Sequence, residues 1–362
     1  MADALKDMFN KKFYERLAVA FNEADRNFHP DKFIKQVTKN LDSFSLNQRL
    51  RNTSVVLKDH LPQDYKKALH IIYEVAPQFK SHYTALLFPD FVGQFGHNDI
   101  ERSLDALKLL TQYGSSEFAI REFLIRDFDK TLKVMNDWAE DKNYHVRRLA
   151  SEGSRARLPW SFNLDQVMNN PKLTRSILEK LKADDELYVK KSVANHLNDF
   201  SNKNTQYLLD LMNSWDKTNP HTAWIIKHAS RTLIKKGHPG SLAIFDFEKK
   251  VQLKLTNFKI KSPQLKLGDS LLFSFDLTSE KSKSQKLVVD YAIYYQKKSG
   301  ELVPKVFKLK ELNFKANEVI TISKSHRFQD FTTRKHYAGR HAVEIVINGK
   351  SHFKKYFTLI LP

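Results

Sequence analysis

The chain has 362 residues, of which 60 are Lys or Arg and 41 are Asp or Glu, so its formal net charge is +19. This surplus favours a polyanionic partner, either nucleic acid or an anionic membrane surface. The absence of cysteine excludes disulfides, thiolate metal sites, iron–sulfur clusters and cysteine nucleophiles. We also expect neither a secretory signal nor a membrane span, because the start is not apolar and no apolar run is long enough.

The first 60 residues have the apolar spacing of an amphipathic helical cap. This segment carries a set of basic residues, Lys11, Lys12, Lys32 and Lys35. Two interpretations of these charges stay open, since they could contact a ligand or form a solvated helix face. Leucines at helical spacing over residues 104–110 predict a further helix, and Ser116 is predicted to cap the one after it.

A repeat follows in the next hundred residues. Residues 141–150 are DKNYHVRRLA and residues 184–194 are DDELYVKKSVA, with Val146 and Val189 separated by 189 − 146 = 43 positions. A weaker third copy begins near residue 219. A period near 40 is typical of HEAT-like repeats, in which acidic residues cap each helix and the basic pair faces outward. We therefore predict an α-solenoid over residues 1–246, with these helices lining a concave face.

From about residue 247 the pattern changes to period two. Residues 271–277, 288–295 and 342–347 alternate apolar and polar side chains and are rich in β-branched and aromatic residues. Asn348-Gly349 between two such runs predicts a type I′ hairpin. Roughly seven strands in this length favour an immunoglobulin-like β-sandwich over residues 247–362, although the Cys–Trp–Cys core of antibody domains is absent.

Residues 151–160, SEGSRARLPW, form a block that is far more specific than an ordinary short motif. The block resembles the core motif of the AlkC group of DNA alkylation repair glycosylases, which are relatives of the AlkD glycosylases. Residues 116–121, 192–199 and 224–237 fit that group in the same order. The resemblance covers about residues 1–246, and the β domain is similar to that of the subtype with a C-terminal immunoglobulin-like domain.

The resemblance implies a bacterial base excision repair enzyme that acts on double-stranded DNA. It would hydrolyse the N-glycosidic bond of 3-methyladenine, 3-methylcytosine or 1-methyladenine, in a shallow site and without flipping the base. Alkylation makes these bases cationic and allows them to leave neutral, so the site must mainly supply negative charge near the sugar and a positioned water. The resemblance also implies a monomer that is cytoplasmic and associated with the nucleoid.

Three carboxylates fall inside the matching blocks, namely Glu117, Glu152 and Asp199. We expect Glu152 and Asp199 to stabilise the oxocarbenium-like sugar and to position water, and Glu117 to contact or desolvate the lesion. Glu152 follows Arg148 by four residues, so their side chains can meet on one helix. The alternative is that these acids only pair with arginines and hold the repeats together.

Trp160 and Trp224 are the candidates for contact with the lesion or sugar, because an aromatic face attracts a cationic base. The alternative for both is packing at a repeat interface. The expected phosphate contacts are Arg147, Arg148, Arg155, Arg157, Lys190, Lys191, Lys227, Arg231, Lys235 and Lys236. About half of this set is expected to be structural or solvated.

No metal or cofactor is predicted. His97, His145, His196, His221 and His228 do not have the spacing of a metal site. There is also no glycine-rich phosphate loop, Walker motif or G-x-S-x-G sequence, which disfavours ATP, nicotinamide and serine-hydrolase chemistry.

Three rival hypotheses remain at this point. The chain could be a non-catalytic HEAT-repeat protein that binds DNA, a protein-interaction scaffold, or an enzyme with an AlkD-like preference for bulky N7 or N3 adducts. Two roles also stay open for the β-sandwich. Its basic residues could clamp the far side of the DNA duplex, or they could only keep the exposed strand face soluble. Its basic residues are Lys281, Lys283, Lys286, Lys297, Lys298, Lys305, Lys308 and Lys310.

Overall fold

The computed structural model describes residues 5–80, 83–330 and 335–361. The chain divides into two compact units, Met1–Ala229 and Ser230–Pro362. The first unit is helical, whereas the second starts with two short helices and continues as β-strands. None of the helices in these ranges is long and apolar enough to cross a lipid bilayer.

The helices of the first unit are short and amphipathic. In chain order they are α1 (Lys11–Ala24), α2 (Pro30–Val37), α3 (Leu46–His60), α4 (Tyr65–Val75), α5 (Leu87–Phe95), α6 (Ile100–Leu110), α7 (Ala119–Arg126), α8 (Phe128–Trp138), α9 (Tyr144–Gly153), α10 (Asp165–Asn169), α11 (Arg175–Leu181), α12 (Leu187–Asp199), α13 (Thr205–Ser214) and α14 (Pro220–Ala229). Single 3-10 turns occur at Leu41–Ser43, Ala76–Phe79, Tyr83–Leu86 and Pro171–Thr174.

Side-chain caps fix where several of these helices begin. Asn10, Asp64, Asp99, Asp127 and Asn143 each accept a hydrogen bond from a backbone N–H of the first turn that follows. Such a cap satisfies a donor that has no partner within the helix. The polar residues between the apolar runs therefore determine the register in which each apolar face meets its neighbours.

The predicted repeat is confirmed at α9, α12 and α14, which begin at the three repeat copies. Helix α9 packs on α12, and α12 packs on α14. Val146 and Val189 are buried, as expected. The prediction that acidic residues cap these helices was wrong, because Asn143 caps α9 and no side chain caps α12. Asp141 and Asp184 precede the helices and accept backbone N–H groups of the turns instead.

The second unit contains α15 (Arg231–Lys235), α16 (Pro239–Ile244) and two β-sheets. The strands are β1 (Leu253–Ile260), β2 (Gln264–Lys266), β3 (Ser270–Ser279), β4 (Gln285–Gln296), β5 (Leu302–Phe314), β6 (Val319–Arg327), β7 (Gly339–Ile347) and β8 (Lys350–Ile360). One sheet has the order β1-β3-β6 and the other has the order β2-β8-β7-β4-β5. Inward-facing aromatic and aliphatic side chains of both sheets form one core.

The predicted strands over 271–277, 288–295 and 342–347 lie within β3, β4 and β7. The predicted hairpin is also confirmed, since Asn348 and Gly349 have φ angles of 48° and 74° and join β7 to β8. Positive φ at both central positions defines a type I′ turn.

The boundary between the compact units lies between residues 229 and 230, before the change to strand periodicity near residue 247. Leu242 of α16 and Phe247 pack against Val288 of β4, so these short helices belong to the β unit. The functional division into 1–246 and 247–362 stays a prediction.

Candidate active site

A cleft of about 600 Å³ opens beside α9 in the helical unit. Its walls come from the 3-10 turn Tyr83–Leu86, residues 111–118 after α6, helix α9, residues 158–160 and Tyr188 of α12. Four of the predicted site residues line this cleft, namely Glu117, Arg148, Glu152 and Trp160. The packing of the repeats thus brings together side chains from sequence blocks that are far apart.

An ion-pair ladder of alternating acids and arginines underlies the cleft and consists of Glu117, Arg148, Glu152, Arg155 and Asp199. Arg148 pairs with Glu117, and its Nη2 lies 3.5 Å from Glu152 Oε1. Arg155 Nη1 donates to the same Oε1 atom at 2.7 Å. Arg155 also donates to both carboxylate oxygens of Asp199, at 2.9 and 3.0 Å. With three acids and two arginines, the ladder has a formal charge of −1.

Local sequence explains part of this arrangement. Arg148 and Glu152 are one helical turn apart on α9, and Asp199 is the last residue of α12. Gly153 allows the end of α9 to approach α7, because a Cβ atom at this position would lie 2.5 Å from the side chain of Ile120. A larger residue there would force α9, which carries Arg148 and Glu152, away from α7, the helix that begins two residues after Glu117.

The ladder is nearly buried, with side-chain exposures between 7 and 16%. Burial alone would lower the pKa of Arg148, but the charges of Glu117 and Glu152 outweigh it and the pKa is raised. Burial likewise opposes the charge of Arg155, while hydrogen bonding to Asp199 and the charge of Glu152 raise its pKa above the usual value. Both arginines are therefore fixed cations that orient the carboxylates.

Arg121 lies within a matching sequence block but was not among the predicted site residues. Its side chain is fully buried, and its Nη1 donates to the backbone carbonyls of Gly153 and Arg155 at 3.0 and 2.8 Å. Its Nη2 donates to the carbonyl of Phe162. Burial, followed by the charge of Arg155, lowers the pKa of Arg121 to about 10. One guanidinium thus holds both ends of the segment 153–162, which carries Trp160.

Trp160 stands out by its backbone and by its exposure. Its φ angle is 67°, and 68% of the residue is exposed. A non-glycine residue in this left-handed region is strained, and such strain is often found at functional sites. The ring meets that of Tyr83 edge to face at 6.2 Å. Tyr83 donates a hydrogen bond to Asn47, and burial, followed by the charges of Glu117 and Asp90, raises its pKa to about 12.

Three further residues that line the cleft, Tyr144, His145 and Tyr188, are also aromatic, a feature that was not predicted from the sequence. The rings of Tyr144 and His145 are stacked at 4.2 Å, and His145 meets Tyr188 edge to face at 5.9 Å. The Arg148 guanidinium lies 4.6 Å from the centroid of the Tyr188 ring. The available signal was the pair of tyrosines that open α9 and α12 just before the repeated valines. The cleft therefore combines aromatic faces with carboxylates, a combination suited to a flat cationic group.

Trp224 is not among the residues that line the cleft. It is half-buried on α14, where its ring stacks on His228 with centroids 5.0 Å apart and an interplanar angle of 8°. The structure thus brings Trp160 but not Trp224 to the cleft, and the contact of either residue with the lesion stays a prediction.

The predicted DNA-binding residues fall into different environments. Arg147 donates to Asp184 at 2.6 Å and to two backbone carbonyls, which favours a structural role between repeats. Lys190 lies 3.0 Å from a ring nitrogen of His221, and Arg231 is half-buried. The exposed members of the set are Arg157, Lys191, Lys227, Lys235 and Lys236. Arg231, Lys235 and Lys236 belong to the second unit.

His196 is the most deeply buried of the five histidines weighed above as metal ligands. Its Nδ1 lies 3.0 Å from the carbonyl of Ser151, and its Nε2 lies 3.1 Å from Thr174 Oγ1. Burial, followed by the charge of Arg155, lowers its pKa to about 3. Within the ranges that the structure describes, no three His, Asp or Glu side chains are placed to hold a metal ion.

Two known proteins are similar to nearly the whole chain, and a family model matches its β domain. Residues 254–361 match the family of the C-terminal Ig-like domain of the uncharacterised protein YhaZ, which confirms the predicted immunoglobulin-like class. The chain is 41% identical to the uncharacterized protein YhaZ of Bacillus subtilis (strain 168) over 351 residues, 97% of each protein. It is 43% identical to the Pseudomonas fluorescens alkylpurine DNA glycosylase AlkC, solved with DNA containing an abasic site analog. That comparison has a TM-score of 0.94 and covers 98% of this chain and 99% of the other.

Proposed function

Since the chain belongs to the family of YhaZ and AlkC, as its motifs predicted, we propose that it is a DNA glycosylase that removes alkylated bases from double-stranded DNA. The observation that carries the proposal is the ion-pair ladder, which presents Glu117 and Glu152 to an aromatic-walled cleft. The similarity to AlkC supports the reaction type, because AlkC was solved with an abasic site analog and an abasic site is what base removal leaves in DNA.

The proposed reaction is hydrolysis at C1′ of the damaged nucleotide. The C1′–N bond breaks, and the base takes the bonding electrons and leaves as a neutral molecule. A water oxygen then bonds to C1′ and releases a proton to a carboxylate or to solvent. Because a cationic base is already a good leaving group, the protein needs to stabilise the positive sugar rather than protonate the base.

The three carboxylates would share this work unequally. Glu152 and Glu117 line the cleft, so they are placed to face the sugar and the lesion. Asp199 does not line the cleft, and each of its two carboxylate oxygens accepts a hydrogen bond from Arg155. In the proposal Asp199 acts mainly by orienting Arg155 against Glu152, and its predicted direct contact with the sugar or the water would come second. The charge of one carboxylate at roughly 5 Å from the sugar is worth about 3 kcal/mol at an effective dielectric of 20.

The proposed substrates are the small cationic bases 3-methyladenine, 3-methylcytosine and 1-methyladenine. Trp160, Tyr144 and Tyr188 offer aromatic faces at the cleft, and each such contact with a cationic ring contributes about 0.5–2 kcal/mol. Excision without base flipping is part of the proposal and comes from the resemblance alone. Cytoplasmic, nucleoid-associated and monomeric behaviour are proposed on the same basis.

The experiment is base release from methylated duplex DNA by the purified protein, with Glu152→Gln and Asp199→Asn beside the wild type. We expect the wild type to release 3-methyladenine or 3-methylcytosine. In Glu152→Gln the rate of release should fall about 100-fold or more, because about 3 kcal/mol of stabilisation of the sugar cation is lost. Glu140→Gln is the matched control, because Glu140 is an exposed acid paired with Lys180 and does not line the cleft.

A second candidate function is a non-catalytic DNA-binding protein. The observation that favours it is that every carboxylate of the ladder already contacts an arginine, as structural ion pairs do. DNA binding by the wild type without release of any alkylated base, bulky N7 adducts included, would select this candidate. Release of only the bulky adducts would keep the enzyme but change its substrate.

A further inference from the structure

We propose that Lys12 and Arg16 form a second DNA contact, which binds phosphodiester groups beside the cleft. The two residues lie one turn apart on α1 and are both exposed. With Met8, Phe13 and Thr84 they border a depression of about 390 Å³. The inference rests on the proposed function only in taking DNA as the partner.

The position of this depression links it to the cleft. Thr84 belongs to the single 3-10 turn Tyr83–Leu86, and the first and last residues of that turn line the cleft. One turn of chain therefore separates the two depressions. Each strand of a duplex presents a phosphate about every 3.4 Å along the helix axis, so DNA at the cleft would bring several phosphates to α1.

The chemistry of the two cations fits an anion. The Arg16 guanidinium lies 4.7 Å from the ring centroid of Phe79, a buried side chain. Stacking on an aromatic face restrains the guanidinium while leaving its N–H groups available to a phosphate. Lys11 pairs with Glu15 at 3.8 Å, whereas neither Lys12 nor Arg16 pairs with a carboxylate in the part of the chain that the structure describes.

The same helical cap provides a matched control. Lys32 and Lys35 on α2 are also exposed cations, but they line neither the cleft nor the depression at α1. Removing either pair changes the net charge of the protein by the same amount. A general effect of charge would therefore affect both pairs alike, while a phosphate contact distinguishes them.

The test is binding of the full chain to an undamaged duplex oligonucleotide at several salt concentrations, read by fluorescence anisotropy. We expect Lys12→Gln/Arg16→Gln to reduce the slope of log Kd against log salt by about 2, since each lost phosphate contact removes about one counterion. Lys32→Gln/Lys35→Gln should leave the slope near that of the wild type. Arg16→Lys, which keeps the charge, should retain most of the wild-type slope.

An unchanged slope in Lys12→Gln/Arg16→Gln, or equal losses in the two double variants, would overturn the inference. The outcome is separable from that of the proposed function, because binding to undamaged DNA requires no base release. A wild type that binds with the expected slope but releases no base would keep the phosphate contact and refute the glycosylase. A wild type that binds no DNA would refute both.

Discussion

Replacing Arg121 by lysine would keep a positive charge but remove the planar fork that holds segment 153–162. The single nitrogen of an ammonium can take the place of Nη1, which donates to Gly153 and Arg155, or of Nη2, which donates to Phe162, but not of both. At least one of these bonds is therefore lost, and at about 1.5–3 kcal/mol for a bond to a charged group the free energy of unfolding falls by at least that amount. The ammonium that replaces the guanidinium would also be harder to keep protonated, because burial disfavours the charged form and already lowers the pKa of Arg121.

Urea unfolding followed by circular dichroism measures the loss of stability, and tryptic cleavage reports on the segment itself. Arg157 is exposed within the segment, so its peptide bond should be cut faster in Arg121→Lys. Arg126→Lys is the matched control, because Arg126 is an exposed arginine at the end of the same helix. Stability within about 0.5 kcal/mol of the wild type, the range of ordinary surface substitutions, together with unchanged cleavage would refute the reasoning.

Three further predictions concern single residues. Trp160→Gly should be about 1 kcal/mol more stable than Trp160→Ala in urea unfolding, because glycine adopts a φ of 67° without strain; equal stability would contradict this. His196 stays neutral in the folded protein, whereas in the unfolded chain it becomes protonated below about pH 6.5. The free energy of unfolding should therefore fall as the pH drops from 6.5 towards 3, by up to about 1.4 kcal/mol per pH unit. In His196→Asn the free energy of unfolding should change less steeply between pH 6 and 4, and the same pH dependence as in the wild type would contradict this prediction. Asn348→Ala should cost about 2–3 kcal/mol of unfolding free energy, because it loses the side-chain bond to the N–H of Val288 at a left-handed position. Asn317→Ala, at a left-handed and exposed position, should cost only about 1 kcal/mol, and similar costs for both would refute the role of the bond.

The elements that the sequence predicted well depend on local patterns. The starts of α9 and α12 follow from apolar spacing around Val146 and Val189, and the β7–β8 hairpin follows from Asn348-Gly349. Ser116 shows where local patterns fail. Its hydroxyl donates to the carbonyl of Leu107 rather than capping α7, because that helix begins only at Ala119.

The candidate site was predictable only where its contacts are short in sequence. The Arg148–Glu152 contact follows from helical spacing, whereas Arg155 and Asp199 are 44 residues apart and meet because α9 packs on α12. Arg147 and Arg148 show the same limit. They are adjacent and chemically identical, yet one binds Asp184 of the next repeat and the other enters the ladder, since a helix turns by about 100° per residue.

The ion-pair ladder also has a consequence for how such a protein can evolve. Active sites commonly hold unbalanced charges, so that discarding one gains stability at the cost of activity. In the ladder each carboxylate contacts a nearly buried arginine, and losing one partner of a buried pair costs about 3–5 kcal/mol even though the ladder carries a formal charge of −1. Selection for folding alone would then preserve the carboxylates in a descendant that no longer needed catalysis. A descendant that lost the reaction would have to replace an acid and its arginine together. Related sequences would then show paired substitutions at these positions.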